Sequence, residues 1–537
     1  MEKEMKNNHG VSEVPVRDRL GLWNLYFAVK FYLYFRGYAS FDLVMNTMFF
    51  FGLVLISNPA AAARRLIRLM LNLAALAAGF LILWHDSWLP SFSSEFAYLR
   101  QYGMPTFKFL AEFFGQSLFT PEALAATVVI LLLAAFMLNR RKIQFSWLIF
   151  TCLIAVGVRQ AVVKPAYGLD ARLDAFYRHE AGRRVKFEAA KADAGMPDVI
   201  ILQICSLAQD DLHSAGLESD PFWKTFDIML TNFNTVTPHS GPSAIRLLRS
   251  QCGQLPHAAI YRESPGECFL LDNMRSIGYR TYSIMDHDGI YEDFSENLIK
   301  HAHMDKPITV TDMKPAMTSF DGSPIFDDTA VLERWWNARV AGGARHAAVF
   351  ANIISLHTGA HSSSEKEWWR KSSAESYRER FAALAKSIYT LENDIEKSGR
   401  RAIIILVPEH GAALRGTSMQ MKDLRELPLP YITVAPVGIK FIGWKKPEGV
   451  IEQARVNKLT SYLSLAYLIS GIMKNPQIAV DQKAEAALIA GLPEIQFVAE
   501  NQAAVLINDN GGYYIKTSNK KWAKIPKDTM PWGRSEQ

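Results

Sequence analysis

Almost every long apolar run in this chain lies before about residue 164, and that asymmetry commits it to two unlike parts. Hydropathy marks about five membrane-spanning segments there: Leu22 to Phe35, Ala39 to Ser57, Leu66 to Trp84, Leu124 to Leu138 and Ile143 to Val163. Met1 to Leu20 is polar and charged, with no apolar stretch leading to a small-residue cleavage site, so the first segment reads as an uncleaved anchor. Lys3, Lys6, Arg17 and Arg19 precede the first span; Arg64, Arg65 and Arg68, and then Arg140, Arg141 and Lys142, flank two later turns. Basic residues stay on the cytoplasmic side, which places the N-terminus inside and, after five crossings, everything past Lys164 outside. Phe96 to Phe114 would lie outside too, as an interfacial helix or a folded loop.

The 537 residues leave room for two or three domains. A net charge of +6 is modest for that length, and the basic residues are dispersed or sit beside apolar segments, so a nucleic-acid partner is not expected. After the transmembrane domain, 1–164, the charged, alanine-rich stretch 165–196 reads as a helical linker without chemistry. From 197 to 537 the pattern alternates strands with helices. Val199 to Ile204, Ala347 to Leu356 and Ala402 to Val407 are nearly continuous apolar runs, as central strands covered on both faces require. Ser373 to Ser398 repeats its apolar residues at three- and four-residue spacing. The expected fold is an α/β sandwich with a largely parallel central sheet, closed by a β-hairpin within Phe497 to Pro526 around Asp509-Asn510-Gly511-Gly512.

Candidate chemistry gathers at strand ends and at one loop. In Thr237-Pro238-His239-Ser240-Gly241-Pro242, Pro242 suits a first helical position, with Ser240 or Gly241 as the cap. A Ser240 hydroxyl there would meet free backbone N–H groups and the positive end of a helix, which favours an alkoxide or a phosphate oxygen, so Ser240 is the candidate nucleophile. The first strong strand ends at Cys205, the second at His357 with His361 beyond it, and the third at Glu409-His410 after Pro408. A thiolate, an imidazole and a carboxylate at strand ends match the ligand preferences of zinc. Cys252 and Cys268 bracket a short Pro- and Gly-containing loop in an exported domain and are expected to pair; closing about 15 residues contributes roughly 3 kcal/mol on the chain-entropy model. Cys205 is then an unpaired thiol. His357 is the candidate general acid, His361 a second contact, and Arg425 a candidate phosphate clamp.

The series Ile204-Cys205-Ser206-Leu207, Ser240-Gly241-Pro242-Ser243-Ala244-Ile245-Arg246-Leu247-Leu248-Arg249, Phe320-Asp321-Gly322-Ser323-Pro324, Leu356-His357 and Val407-Pro408-Glu409-His410-Gly411 resembles the cellulose phosphoethanolamine transferase (BcsG) family, over nearly the whole chain. That family sits in the alkaline phosphatase and sulfatase superfamily. The resemblance implies an inner-membrane helical domain carrying a periplasmic, zinc-dependent catalytic domain. It implies that Cys205, Ser240, Glu409 and His410 surround zinc, that Ser240 takes up phosphoethanolamine, and that His357 and Arg425 assist. The implied donor is phosphatidylethanolamine and the implied acceptor a glucose hydroxyl of nascent cellulose, beside the cellulose synthase complex. Other readings are transfer to lipid A or a periplasmic glucan, or a non-catalytic scaffold of the secretion complex. One departure is local: the family carries Tyr before the nucleophile where this chain has His239, which introduces a different hydrogen bond or a further metal ligand. Relative to the superfamily, Cys205 replaces a carboxylate and Glu409 an Asp, so a two-zinc site is not implied.

Overall fold

A computed structural model describes residues 20–36, 39–56, 65–88, 145–162, 168–188, 195–363, 372–445, 453–517 and 522–532, with scattered positions between 125 and 135. The chain separates into two compact units, with the boundary at Pro165/Ala166.

The first unit contains helices Trp23–Arg36, Leu43–Ile56, Arg65–Asp86 and Phe145–Val162. They occupy the first, second, third and fifth predicted segments. The fourth, Leu124 to Leu138, is described only at scattered positions, and Phe96 to Phe114 lies outside the described residues. Phe27, Phe31, Phe50, Leu53, Leu153 and Val156 form the inner core, while Val44, Met48, Leu55, Leu73 and Trp147 face outward. Among the described residues one helix is long and apolar enough to cross a membrane, through the window Leu69–Asp86. Lys30, the charge that sits oddly in an apolar segment, is fully buried against Asp86 (Nζ–Oδ2 2.8 Å), and Asp86 also accepts from Asn46 Nδ2 at 2.7 Å. Pairing with further hydrogen bonds is what a buried charge requires.

The second unit is built on a seven-stranded sheet. Its strands are β1 (Asp198–Ile204), β2 (Ile228–Asn234), β3 (Arg280–Met285), β6 (Ala347–Ile353), β8 (Ala402–Pro408), β9 (Val434–Ile442) and β10 (Ala454–Val456), in the order β10-β2-β9-β8-β1-β6-β3. Alternate residues of β1 enter opposite layers, Ile201 packing with Ile245 and Leu465, and Ile200 and Leu202 with Trp335, Tyr377 and Phe381. Helices Ser240–Leu248 and Tyr462–Lys474 thus cover one face, Asp328–Ala341 and Ser373–Lys397 the other. The largely parallel expectation needs correction, because the sheet is mixed: β9 runs antiparallel to both β8 and β2. After β8 the chain stays at the carboxyl edge through 409–433, without a long crossover helix, so β9 re-enters from that edge and runs back.

A small sheet joins β4 (Pro315–Thr318), β5 (Pro324–Phe326) and β7 (His361–Ser362). The C-terminal sheet has four strands, β11 (Val498–Glu500), β12 (Ala504–Asp509), β13 (Gly512–Thr517) and β14 (Ala523–Lys524). The expected hairpin is its centre, turning at Asn510 and Gly511, which both have positive φ (48° and 77°), as a two-residue turn of the right-handed-twist type requires. Within the stretch expected as a linker, Leu169–Ala181 packs Leu169 and Phe176 against Val498 and Ile507 of this sheet, and so is part of the second unit. The Cys252–Cys268 disulfide is present.

Candidate active site

The carboxyl ends of β1, β6 and β8 deliver Cys205, the loop to His357, and Glu409-His410 to one edge of the sheet. The helix that begins at Ser240 points its N-terminus there. His239 occupies the position before the first helical residue, and Pro242 is third rather than first, which costs no hydrogen bond because first-turn N–H groups lack intrahelical acceptors. Ser240 Oγ is half-buried, 3.2 Å from His410 Nε2 and 3.7 Å from Cys205 Sγ. Cys205 Sγ is 3.9 Å from His410 Nε2, and His410 Nε2 is 3.7 Å from Glu409 Oε2. With the strand broken after Pro408, adjacent Glu409 and His410 serve one centre.

Three strained backbone positions frame this centre. Ser206 (φ 62°), Val236 (φ 68°) and Ala413 (φ 57°) are left-handed, and the β-branched Val236 is the costliest of them. Val236 is held in place because its N–H donates to Asn234 Oδ1 (2.9 Å) and its carbonyl accepts from the Glu500 N–H (2.7 Å). Past His410, buried Asp211 accepts N–H bonds from Ala208, Ala412 and Leu414. A Cβ at Gly411 would come within 2.7 Å of Asp211 Oδ2 and of Ala208 Cβ, so only glycine fits beside His410.

Cys205, Glu409 and His410 place one ligand atom each within 4.8 Å of one another, all buried. His410 Nδ1 donates to the Gly411 carbonyl (2.9 Å), which leaves the Nε2 lone pair facing the group. Glu409 Oε1 accepts from Asn352 Nδ2 at 2.6 Å, while buried Oε2 has no hydrogen-bond partner. Burial, and next the Glu409 charge, push the Cys205 thiol up to about 12; burial raises the Glu409 carboxyl, and burial with Arg425 holds His410 well below the usual imidazole range. A sulfur, a nitrogen and an orphaned carboxylate oxygen fit a divalent cation of zinc's preferences.

Arg425 is in the site, donating from Nη2 to His357 Nε2 (2.8 Å) and from Nη1 to Ser206 Oγ (3.2 Å). His357 Nδ1 donates to the Thr358 carbonyl (2.7 Å), so Nε2 is the acceptor; burial, then Arg425, keep this imidazole neutral. His357, the expected general acid, thus lies in the site with Nε2 against Arg425. His239 Nε2 instead meets Asn501 Nδ2 at 3.3 Å, and His361, on β7, meets the Gly359 carbonyl at 3.2 Å. Neither belongs to the Cys205–Glu409–His410 group.

Polar residues inside apolar strands were the unread signal. Gln203 of β1 and Asn352 of β6 bond to each other (3.3 Å), Asn352 Oδ1 accepts from His287 Nε2 (2.9 Å), and Gln203 Nε2 donates to Ser243 Oγ (3.4 Å). This network orients Glu409 from behind. The buried Asp286 carboxylate accepts the Ile354 N–H on both oxygens (3.0 and 2.9 Å) and so anchors the start of the loop to His357. Asp286 faces buried Asp328. Burial, then the Asp328 charge, raise Asp286 strongly, and burial raises Asp328 to about 7. The folded pair thus holds a proton that the unfolded chain releases near about pH 4. Its stabilisation is full below that pH and lost as pH rises toward about 7. Asp328→Asn supplies the bridging hydrogen permanently, so thermal melts between about pH 5 and 8 should lose a pH-dependent part on the order of 1 kcal/mol. Parallel wild-type and variant profiles would exclude a shared proton.

Fold and site together define the class: an α/β domain with a helix-N-terminal serine beside a buried thiol–carboxylate–imidazole group that could hold a metal ion, in a chain that also has an apolar helical unit. The chain belongs to the BcsG family of cellulose biosynthesis proteins. The family profile "Cellulose biosynthesis protein BcsG C-terminal domain" matches residues 156–522, and that of the N-terminal domain matches 23–158. Cellulose biosynthesis protein BcsG of Salmonella typhimurium (strain LT2) is 32% identical over 550 residues, covering 94% of this chain and 96% of that protein. The Escherichia coli (strain K12) protein of that name is 32% identical over 554 residues, with the same coverage. Among solved structures, the integral membrane lipooligosaccharide phosphoethanolamine transferase A (EptA) of Neisseria meningitidis is similar at 12% identity and a TM-score of 0.45, covering 89% of this chain and 98% of that one.

Proposed function

We propose that the protein transfers phosphoethanolamine from phosphatidylethanolamine to glucose hydroxyls of nascent cellulose, through a serine-linked double displacement that depends on zinc. The observation that carries this reading is Ser240 Oγ within 3.2 Å of His410 Nε2 and 3.7 Å of Cys205 Sγ. Cys205, Glu409 and His410 would hold the metal, with Ser240 alongside. Zinc, when bound, supplies a Lewis acid that favours the alkoxide form of the serine. Ser240 forms the bond to phosphorus as the diacylglycerol oxygen leaves; a glucose hydroxyl then takes the group as Ser240 leaves. The proton count closes with a neutral histidine. The Ser240 proton ends on the diacylglycerol oxygen, the acceptor's proton returns to Ser240, and His357 carries both. Arg425, between His357 and His410, brings a fixed positive charge to the side where phosphoryl charge develops.

The family's name, cellulose biosynthesis protein BcsG, supports cellulose as the acceptor. In this reading 1–164 anchors the protein in the inner membrane by five spans, near the cellulose synthase complex, and 197–537 works in the periplasm, where an oxidising environment keeps Cys252–Cys268 closed. Tethering raises the effective concentration of a lipid donor. The full-length protein in phosphatidylethanolamine vesicles is expected to release diacylglycerol, to stop on chelation, to resume with zinc, and to mark added cello-oligosaccharide with phosphoethanolamine. No release with zinc and oligosaccharide both present would overturn the assignment.

A further inference from the structure

The helix that begins at Ser240 ends in two arginines, Arg246 and Arg249, the latter about 13 Å from the nucleophile along the axis. Both are buried, Arg249 to 6% exposure. Arg246 is compensated: Nη2 pairs with Glu500 Oε1 at 3.1 Å and Nη1 donates to the Leu255 carbonyl at 2.8 Å. Arg249 is not. Its Nη1 donates to the carbonyls of Ile260 and Arg262, and the guanidinium lies 5.5 Å from the Phe269 ring centre. Among the described residues no carboxylate pairs with it, and its Nε and Nη2 have no hydrogen-bond partner.

These arginines line a cavity of about 40 Å³, together with Glu180, Gln254, Ser264 and Gln496, under the Cys252–Cys268 bridge. Glu180 offers no counter-charge, since Arg183 Nη1 (2.6 Å) and the Gln254 N–H (2.8 Å) already occupy its oxygens. The ionic lining thus pairs off except for Arg249. Among the lining residues, Arg246 Nε is also buried without a partner, beside the two nitrogens of Arg249. Half-buried Ser264 and exposed Gln496 open the cavity toward solvent.

A buried cation needs a counter-charge, and the nearby helix C-terminus supplies only part of one. The cavity exceeds the space of a single water. Nε and Nη2 form the side-on edge of a guanidinium, which takes two oxygens of one oxyanion. We infer that this cavity, behind the nucleophile helix and separate from the Ser240 centre, binds a small oxyanion of the phosphate class through Arg249. Occupancy would brace the far end of the helix that positions Ser240.

The probe is labelled inorganic phosphate in equilibrium dialysis, with full-length, metal-stripped protein altered by Arg425→Met, which removes the arginine that contacts His357 and Ser206 at the catalytic edge. One saturable equivalent is expected, weakened roughly tenfold or more by adding Arg249→Met. Unsaturable binding, or binding indifferent to Arg249→Met, would overturn the site and leave the cavity to water. Should Arg249→Met not fold, Arg249→Lys replaces it; loss of the fork should still weaken binding several-fold, and unchanged affinity counts against the site. Displacement by phosphoethanolamine would mark a headgroup monoester as the source, and resistance to it free phosphate; both results uphold an oxyanion site.

Discussion

Replacing Ser240 by Ala is expected to lower diacylglycerol release from phosphatidylethanolamine vesicles by at least about 10³-fold, because no other hydroxyl takes over covalent attack. The fold should be untouched. Ser240 begins its helix without a side-chain cap, and its Oγ contacts Cys205 and His410, so truncation leaves no helix donor unpaired that the serine had served. The parent protein, quenched during turnover, should carry a phosphoethanolamine mass increment on the peptide containing Ser240, and the variant none. A variant that keeps its rate would remove the serine from the mechanism and with it the double displacement.

Cys205→Ala carries the second large effect. The side chain is fully buried at the end of β1 and packs in no ion pair, so its loss should cost the fold little while deleting the sulfur of a three-residue metal group. Zinc content after dialysis is expected to fall to background, and release of diacylglycerol by roughly 10²–10⁴-fold, the range lost when a catalytic electrostatic element goes. Excess zinc should recover part of the rate, since Glu409 and His410 remain, with His410 still held by Gly411. Full zinc retention in the variant would take Cys205 out of the coordination sphere and leave its burial as packing alone.

Much of the catalytic edge was legible before folding was considered. Continuous apolar runs ending in Cys205, His357 and Glu409-His410 identified central strands and a shared rim, because a strand buried on both faces has little choice but to be apolar, and polar residues at its end must then be accounted for. The partner of Lys30 was not legible, since Asp86 lies 56 residues on, outside the expected third span. Asn352 and Gln203 went unread inside apolar strands, because which partner each satisfies depends on register across β1, β6 and β8.

By itself, then, the order of residues determined two units, the candidate strands, the pairing of Cys252 with Cys268 and the candidate reactive groups, all properties of local pattern and composition. Only the tertiary structure decided that β9 runs backwards, that His239 turns to Asn501 rather than to the Cys205–Glu409–His410 group, and that Arg425 meets His357. It also decided that Arg249 is buried without an acid partner. Each of these depends on which distant segments come within a few ångströms of one another, and hydrogen bonds and charges act only at that range.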